Sequence, residues 1–594
     1  MSRNQKQNTF FGGAAILAVG ILVVKLIGMF YKIPLVNIIG AQGNSDFSNA
    51  YNIYAVLLTI STAGLPVAVS KLVSEANALN RQNQVRSIFR TSMVLFLALG
   101  LLSFLLMYFR ADWLAEMMHD TKAAAGIKAL APAVVCVGCL AAFRGYTQGH
   151  QDMVPTSVSQ IIEAMCKLVV GLALAWWLIK AGQPDYIAAA GAITGVTVGT
   201  VVALAYMLIR YTLRRSREQG RADDRPDSMG GIMADILRIA VPITLSASMV
   251  GIVTVIDSSL VQGQLQRALL EKPACWELYR EFIDFAPLQA ALDSWKAALP
   301  EGQGATIALL TQQAEQGAAG AQQLRELLES VSRTLYGNYS GALNIYNLPT
   351  SLMAAITASV IPAVSGALAR RDRRGAGKIT GSALRITALL AFPMGVGLFV
   401  MGTPIMQLLY PALSAQLAGP LLSTLGLATV FVCMMLVCNS VLQAHGFVNL
   451  PVLVMLLGGG LKIVTNYHVV VQPGIGIYGA PMGNILCFGL CLALDLVVIA
   501  RVIPKRPAYL PIFVKPLLAS LVMGGAAWAV NGLLTRLLSH GGELSRMGCA
   551  LTVFLSIGVA MVVYMVLVVA LRIISRDDLA LMPKGDKIAR LLRL

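Results

Sequence analysis

Residues 10–39 read FFGGAAILAVGILVVKLIGMFYKIPLVNII, an apolar stretch that contains only two charged side chains, Lys25 and Lys32. A helix needs about 20 mostly apolar residues to cross the hydrocarbon core of a bilayer, so this stretch predicts a spanning helix. It lacks a small-residue cleavage site and therefore does not resemble a signal peptide. The same criterion predicts fourteen spans, at 10–39, 48–74, 88–109, 126–148, 155–180, 186–211, 234–262, 341–368, 380–409, 417–443, 448–471, 476–502, 512–536 and 547–574.

The composition of the whole chain agrees with an all-α polytopic membrane protein. Of its 594 residues, 57% are hydrophobic and 13% are charged, whereas soluble domains have about 45–50% apolar and about 25% charged residues. A soluble enzyme, a disordered polymer and a disulfide-stapled secreted domain all fit these values poorly. Eight of the nine cysteines lie in apolar stretches and only Cys275 lies in a polar segment, so no disulfide framework is expected.

The excess of basic residues indicates an orientation in the membrane rather than a nucleic-acid partner. The chain has 46 Lys and Arg against 29 Asp and Glu, a net charge of +17, and membrane proteins collect Lys and Arg in cytoplasmic loops. The basic clusters recur in every second loop, at residues 3–6, 81–86, 144–150, 214–225, 370–378, 501–506 and 584–593. We therefore expect a multi-pass membrane protein with both termini in the cytoplasm, as an even number of spans requires.

A polar segment at 263–338 separates the seventh and eighth predicted spans. It includes WELYREFIDF (276–285) and QQLRELLESV (322–331), and its six Lys and Arg against nine Asp and Glu give a charge of −3. Its topological position and acidity predict an extracytoplasmic helical insertion that extends the seventh span outward. A tolerated surface insertion without a role of its own is the alternative.

The two halves of the chain share short motifs at a nearly constant spacing. The matched motifs are LPVAVS (65–70) with IPAVS (361–365), QGH (148–150) with QAH (443–445), and GAxxG (191–195) with GAxxG (479–483). Because six spans separate the partners, both repeats have the same orientation in the membrane. The repeat predicts two pseudo-symmetric six-helix lobes, an N-lobe at 1–225 and a C-lobe at 226–505, followed by two C-terminal helices within 506–594. Two such bundles with a cavity at their interface are the plan of a secondary transporter.

Ionisable side chains inside the predicted spans are the candidates for this cavity. Each costs about 2.5–3.5 kcal/mol at the bilayer centre and therefore needs a partner or a water-filled cavity. Seven residues qualify as candidate cavity and substrate-binding residues: Lys25, Lys32, Arg144, Glu163, Lys167, Asp257 and Lys462. Five of the seven are cationic, so the cavity should favour an anion, and a phosphate or pyrophosphate pairs strongly with Lys and Arg.

Simpler interpretations of the same residues remain open. Lys25 and Lys32 have stems long enough to reach the membrane surface. Glu163 and Lys167 are spaced i,i+4 and would neutralise each other on one helix face, and Arg144 would serve equally well in a structural loop contact. Asp495, near the middle of the twelfth span, has no obvious partner and receives no role.

The sequence indicates no ATPase, metal or cofactor chemistry. It contains no GxxxxGK[ST] phosphate loop, and its five histidines are scattered without paired-ligand spacing. The membrane potential is worth about 2.3 kcal/mol per charge per 100 mV, and an inside-negative potential favours outward movement of an anion. A cation gradient, of Na⁺ or H⁺, is the other energy source considered.

Several motifs resemble those of a known family. They are YNIY (51–54), STAGLP (61–66), SKLVSE (70–75), RGYxQG (144–149), QIIE (160–163), LKxxxNY (461–467) and GIYGA (476–480). This set is similar to that of the stage V sporulation protein B-like and MurJ-like flippases of the multidrug/oligosaccharidyl-lipid/polysaccharide (MOP) exporter superfamily. The resemblance implies two six-helix lobes plus two further helices, alternating access, and export of an undecaprenyl-pyrophosphate-linked sugar such as lipid II or a polysaccharide repeat unit. It also implies that basic first-helix residues act in the cavity, where Lys25 holds one expected position and Tyr31, with Lys32 adjacent, holds the next.

Three other functions remain to be compared with this one. A MATE-type cation or drug antiporter would need acids lining the cavity, and only Glu163 and Asp257 qualify against five bases. A membrane scaffold would use the outer insertion to recruit wall-synthesis proteins. A membrane-embedded glycosyltransferase or polymerase would need acidic or histidine clusters on the outer loops, and the sequence offers none that is convincing.

Overall fold

A computed structural model describes residues 3–215, 224–300, 303–447, 449–502, 509–539 and 545–573, and every regular element in these ranges is helical. The expectation of an all-α membrane protein is confirmed. The helices are α1 (Arg3–Thr62), α2 (Leu65–Ala78), α3 (Gln82–Phe109), α4 (Ala111–Met117), α5 (Ala123–Gly149), α6 (Val154–Cys166), α7 (Leu172–Lys180), α8 (Asp185–Arg215), α9 (Met229–Glu271), α10 (Ala286–Ala297), α11 (Ile307–Glu315), α12 (Ala319–Ala369), α13 (Arg373–Leu409), α14 (Ala415–Ala444), α15 (Leu450–Val469), α16 (Ala480–Val502), α17 (Tyr509–Leu538) and α18 (Arg546–Ala570). A π-helical turn (Lys167–Gly171) joins α6 to α7, and short 3₁₀ helices occupy Pro273–Leu278 and Gly476–Gly479.

Within the described ranges, eleven helices are long and apolar enough to cross a membrane, and a bent pair within α9 makes up to twelve. The chain is therefore a multi-pass membrane protein, whereas the expected number of fourteen stays a prediction. Residues 23–39 of the first predicted span and the whole predicted span 48–74 fall within one continuous stretch, Val23–Ala78. The predicted span 341–368 lies in α12, which is not among the eleven helices. Inside α1, Gly40 adopts φ +67° and ψ −167°, a combination open to glycine and strained for other residues, and it separates two helical segments.

The chain divides into two compact units. Unit 1 comprises Met1–Gly263 together with Glu329–Gly337, and unit 2 comprises Gln264–Leu328 and Asn338–Leu594. The predicted domain boundaries at 225/226 and 505/506 stay predictions. Several basic residues used for the orientation, at 217–221, 505–506 and 584–593, lie outside the described residues.

Unit 1 has two hydrophobic clusters. One joins residues 31–54 of α1 to α5 and α8 around Tyr31, Phe47 and Ile127. The other packs α2, α3 and α5 together around Phe89 and Phe143. Burial of such apolar surface stabilises the bundle by about 25 cal/mol per Å² where it is removed from water, and here it fixes the helices that carry the polar residues described below.

Unit 2 contains residues 264–328 of the predicted insertion and the second set of helices, whereas residues 329–337 belong to unit 1. α9 continues to Glu271, as the expected outward extension of the seventh span requires, and the 3₁₀ turn, α10 and α11 follow before α12 begins. The hydroxyl of Tyr279 accepts a hydrogen bond from the backbone N–H of Ile477 at 2.8 Å, which ties the insertion to the α15–α16 connection. Burial raises the pKa of the Cys275 thiol to about 11, so this cysteine is an unreactive packing residue.

Equivalent motif residues of the two halves occupy equivalent local positions. His150 is the C-cap of α5 and His445 is the C-cap of α14. Pro155 and Pro451 both lie at the start of the next helix, where a missing N–H has no cost. The two halves therefore match at these helix ends. They differ at the π-helical turn, which among the described residues occurs only in the first half.

Candidate functional site

Two lysines and three aromatic rings form the most unusual polar group of unit 1. Lys32, on α1, places its Nζ 4.0 Å from the centroid of the Phe47 ring. Lys167 places its Nζ 4.8 Å from the Tyr31 centroid and 4.6 Å from the Tyr51 centroid. The negative faces of aromatic rings attract ammonium groups, by up to about 2 kcal/mol when water is excluded. Both ammonium groups are therefore held in place by rings rather than by carboxylates.

The Lys32–Lys167 pair carries positive charge that the described surroundings do not neutralise. The charged group that interacts electrostatically with Lys32 is Lys167, which repels it. Both side chains are half-buried, and neither forms an ion pair within the described part of the chain. Two like charges held close together in a partly dehydrated setting favour binding of a multivalent anion.

The π-helical turn and two glycines set the position of Lys167. Lys167 is the first residue of that turn, and such turns change the direction of side chains within a helix and often occur at functional sites. A Cβ on Gly195 of α8 would lie 2.5 Å from the backbone nitrogen of Gly171. Tyr31 bonds from its hydroxyl to the carbonyl of Ala192 at 3.3 Å. Close glycine-mediated packing of α8 thus holds the turn against α1.

Arg144 and Glu163 form an ion pair, and Glu163 lies four residues before Lys167 in the sequence. The Nη2 of Arg144 donates to Oε2 of Glu163 at 2.5 Å, and its Nε donates to the hydroxyl of Ser159 at 3.1 Å. Glu163 therefore bonds to a base on α5. The alternative in which Glu163 neutralises Lys167 along one helix face is wrong, because the interhelical partner is in reach and the π-helical turn begins at Lys167.

The remaining predicted residues lie on α1, α9 and α15. Lys25 is exposed on α1. Asp257 of α9 is 5% exposed and interacts electrostatically with Tyr336. In unit 2, Lys462 is 9% exposed on α15, and Asp495 is fully buried with no hydrogen-bond partner for either carboxylate oxygen among the described residues. The assignment of all seven residues to one cavity stays a prediction.

Sequence reasoning missed two features of unit 1. The first is the aromatic support of the lysines, although the spacing of Phe47 and Tyr51, one helical turn apart, was a usable signal. The second is a buried ion-pair cluster of Asp46 and Asp120 with Arg333. Asp46 and Asp120 fall in predicted loops and Arg333 falls in the predicted helical insertion, where charged side chains are common and give no signal of pairing.

Comparison with known proteins agrees with this fold. The family described as "Polysaccharide biosynthesis protein" matches residues 10–268, and the family "Lipid II flippase MurJ" matches residues 305–547. Among curated proteins of Bacillus subtilis (strain 168), "Stage V sporulation protein B" is 22% identical over 97% of this chain and 98% of its own length. "Lipid II flippase MurJ" is 30% identical over 34% of this chain and 39% of its own length. An "Uncharacterized membrane protein YabM" is 23% identical over 99% of this chain and 97% of its own length.

Solved structures match over most of the chain. "Lipid II flippase MurJ, inward closed conformation" has a TM-score of 0.61 at 12% identity, with 94% of this chain and 99% of that chain covered. An inward-facing multidrug resistance MATE family transporter of the MOP superfamily has a TM-score of 0.57 at 14% identity, with 82% of this chain and 98% of that chain covered. This multi-pass membrane protein therefore has the fold of the MOP-superfamily transporters. Its expected resemblance to the flippases like MurJ and stage V sporulation protein B is confirmed by both families and by the full-length relative.

Proposed function

We propose that this chain flips an undecaprenyl-pyrophosphate-linked sugar, either a lipid II-like precursor or a polysaccharide repeat unit, from the inner to the outer leaflet by alternating access. The observation that carries the proposal is the Lys32–Lys167 pair, whose two positive charges rest on aromatic rings and have no carboxylate partner among the described residues. A pyrophosphate supplies several anionic oxygens that two ammonium groups can share. The proposal includes a plasma-membrane location with both termini in the cytoplasm.

The same group of residues argues against cation or drug antiport as the main function. An antiporter of organic cations needs an uncompensated carboxylate, and the one carboxylate of this group of residues, Glu163, is already bonded to Arg144. The aromatic rings also suit a lipid-linked sugar, because sugars and polyprenyl chains present C–H surfaces to ring faces. The membrane potential or an ion gradient, of Na⁺ or H⁺, would drive export, and wall-synthesis proteins are proposed partners of the insertion.

Flipping by the full-length protein in sealed proteoliposomes tests the proposal. The probes are fluorescent lipid II and a fluorescent polyprenyl-pyrophosphate oligosaccharide, and the measured quantity is the initial rate of translocation. A charge-assisted hydrogen bond contributes about 1.5–3 kcal/mol, so Lys32→Ala and Lys167→Ala should each reduce the rate by about 10- to 100-fold.

Lys180→Ala is the matched control for both variants. Lys180 also lies over an aromatic ring, with its Nζ 4.4 Å from the Trp176 centroid, but it ends α7 and makes no contact with the Lys32–Lys167 pair. It should flip lipid at the wild-type rate. Equal rates for all three variants, or no flipping of either lipid, would refute the proposal, and rates indifferent to an imposed potential would exclude the electrical driving force.

A further inference from the structure

A buried cluster of charged side chains lies where α1, the turn between α4 and α5, and α12 meet. Arg333 donates from Nε and Nη2 to the two carboxylate oxygens of Asp46, at 2.7 and 2.5 Å. The same Nε is 3.4 Å from Oδ1 of Asp120. Glu329 accepts hydrogen bonds from the backbone N–H and the hydroxyl of Thr121, both at 2.6 Å. None of the four charged residues is more than 7% exposed, so three carboxyl groups share one guanidinium away from water.

The charge of this cluster is unbalanced when every carboxyl group is ionised. Three negative charges and one positive charge leave −2, and the bidentate contact assigns the guanidinium mainly to Asp46. A buried carboxylate without a cation neutralises itself by taking up a proton. Burial also raises the pKa of Glu329, against the hydrogen bonds from Thr121 that lower it.

Asp46 and Asp120 both contact Nε of Arg333, at 2.7 and 3.4 Å, so the two buried carboxyl groups lie beside the same guanidinium nitrogen. Oδ2 of Asp120 accepts hydrogen bonds from the Ser45 hydroxyl at 3.2 Å and from the Asn49 amide at 2.7 Å. Its other oxygen, Oδ1, is buried and has no hydrogen-bond donor among the described residues. Two ionised carboxylates beside one guanidinium repel each other, whereas a single shared proton allows an acid–carboxylate hydrogen bond. Such a proton would supply the hydrogen-bond donor that Oδ1 lacks beyond its 3.4 Å ion pair with Arg333.

We propose that Asp46 and Asp120 form a proton-binding site that holds one shared proton in this conformation. The shared proton ties α1 to the turn between α4 and α5, and Arg333 ties both to α12. Loss of the proton places two adjacent carboxylates in a buried setting, and their repulsion loosens this end of unit 1. The site lies at the end that the basic-loop pattern assigns to the extracytoplasmic face, and the inference does not depend on which lipid is carried.

Other charged groups surround the site and set its titration. Asp185 at the start of α8 interacts electrostatically with Arg333, and Tyr336 of α12 interacts with Asp120 and with Asp257 of α9. His119 and Lys122 flank Asp120 in the sequence. Among the described residues, the groups of α12 that interact with the pair or its partners are Glu329, Arg333 and Tyr336, with Asp185 of α8 and Asp257 of α9 one step further out. Acids outnumber the nearby fixed positive charges, which further favours retention of a proton.

Infrared difference spectroscopy of the full-length protein in lipid nanodiscs tests the proposal. The wild-type protein should show a protonated-carboxyl C=O band that disappears as pH rises, with a fall in melting temperature over the same pH interval. Asp120→Asn should remove both the band and this pH dependence, since an amide donates the hydrogen without titrating. Asp112→Asn is the matched control, because Asp112 lies on α4 with 76% of its side chain exposed, and it should retain both.

Two results would overturn the proposal. One is a spectrum of Asp120→Asn identical to that of Asp112→Asn at every pH. The other is a melting temperature that responds to Na⁺ at constant ionic strength and loses this response in Asp120→Asn, since that indicates a metal cation instead of a proton. If Asp120→Asn does not fold, isotopic labelling of aspartate carboxyls in an Asp495→Asn background replaces it, and a band that labelling does not shift also overturns the proposal.

Discussion

Replacing Arg333 with methionine removes the only guanidinium from the buried cluster of unit 1. The arginine is 5% exposed, and it contacts Asp46 through two hydrogen bonds and Asp120 through an ion pair. Loss of one partner from a buried ion pair costs about 3–5 kcal/mol, because an uncompensated charge remains in the interior. Methionine has a similar length and a high helix propensity, so α12 itself should persist. We expect the free energy of unfolding to fall by about 3–5 kcal/mol.

The measurement is equilibrium unfolding of the full-length protein in lipid–detergent micelles, followed by helical circular dichroism. Arg267→Met is the matched control, because Arg267 pairs with Glu271 at 2.9 Å but leaves 40% of its side chain exposed. Such an i,i+4 surface pair contributes about 0.3–0.5 kcal/mol. The double variant Arg333→Met/Asp46→Asn should recover part of the loss, since it removes the stranded carboxylate.

The pH dependence provides a second check on the same substitution. Acidic pH protonates the carboxyls that the substitution leaves without a cation, so the difference between the variant and the wild type should shrink as pH falls. The reasoning is refuted if Arg333→Met costs no more than Arg267→Met. It is also refuted if the double variant is as unstable as the sum of its two single changes.

Three further expectations concern other parts of the chain. Gly476→Ala should free the insertion and increase its proteolysis, because a Cβ at this positive-φ position would overlap the hydroxyl of Tyr279; Tyr279→Phe should have a smaller effect in the same assay. Gly195→Ala should lower both the melting temperature and the flipping rate, because its Cβ would lie 2.5 Å from the backbone of the π-helical turn, whereas Gly460→Ala, which meets nothing within 4 Å, should not. Asp224, in the segment before α9, accepts hydrogen bonds from the backbone N–H groups of Asn83 and Gln84 at the start of α3, and despite the opposing effect of burial these bonds lower its pKa. The stability that they contribute is therefore present above about pH 4 and lost as pH falls. Thermal unfolding between about pH 5 and pH 2 should show this loss in the wild type and not in Asp224→Asn.

Membrane spans are predictable from the sequence because hydrophobicity adds up along a continuous stretch of chain. The helices α13, α14, α17 and α18 accordingly follow the predicted spans closely. The predicted number of spans, fourteen, depends on where one helix ends and the next begins. Hydropathy does not register the conformation of Gly40, past which α1 continues, or the packing that keeps the polar residues of α12 in one helix.

For the charged residues, too, the sequence predicted some features and helix packing decided others. Lys32 and Lys167 were recognisable because a cation inside an apolar stretch is costly and therefore stands out. The partner of Glu163 was not recognisable, since the i,i+4 pattern favoured Lys167 and the residue that binds Glu163 lies 19 positions away on another helix. The spacing of Phe47 and Tyr51 indicated a shared helix face, but which cation lies over which ring depends on helix packing.

By itself, the amino-acid sequence determined that this chain is a helical multi-pass membrane protein whose motifs resemble those of the MurJ-like and stage V sporulation protein B-like flippases, with cations in its first and fifth predicted spans. Only the tertiary structure decided which acid meets which base, and that Arg333 joins Asp46 across 287 positions of chain. The physical reason is that burial in a membrane is a property of each local segment. Ion pairing is instead a property of two atoms, and it exists only once helix packing has brought them together.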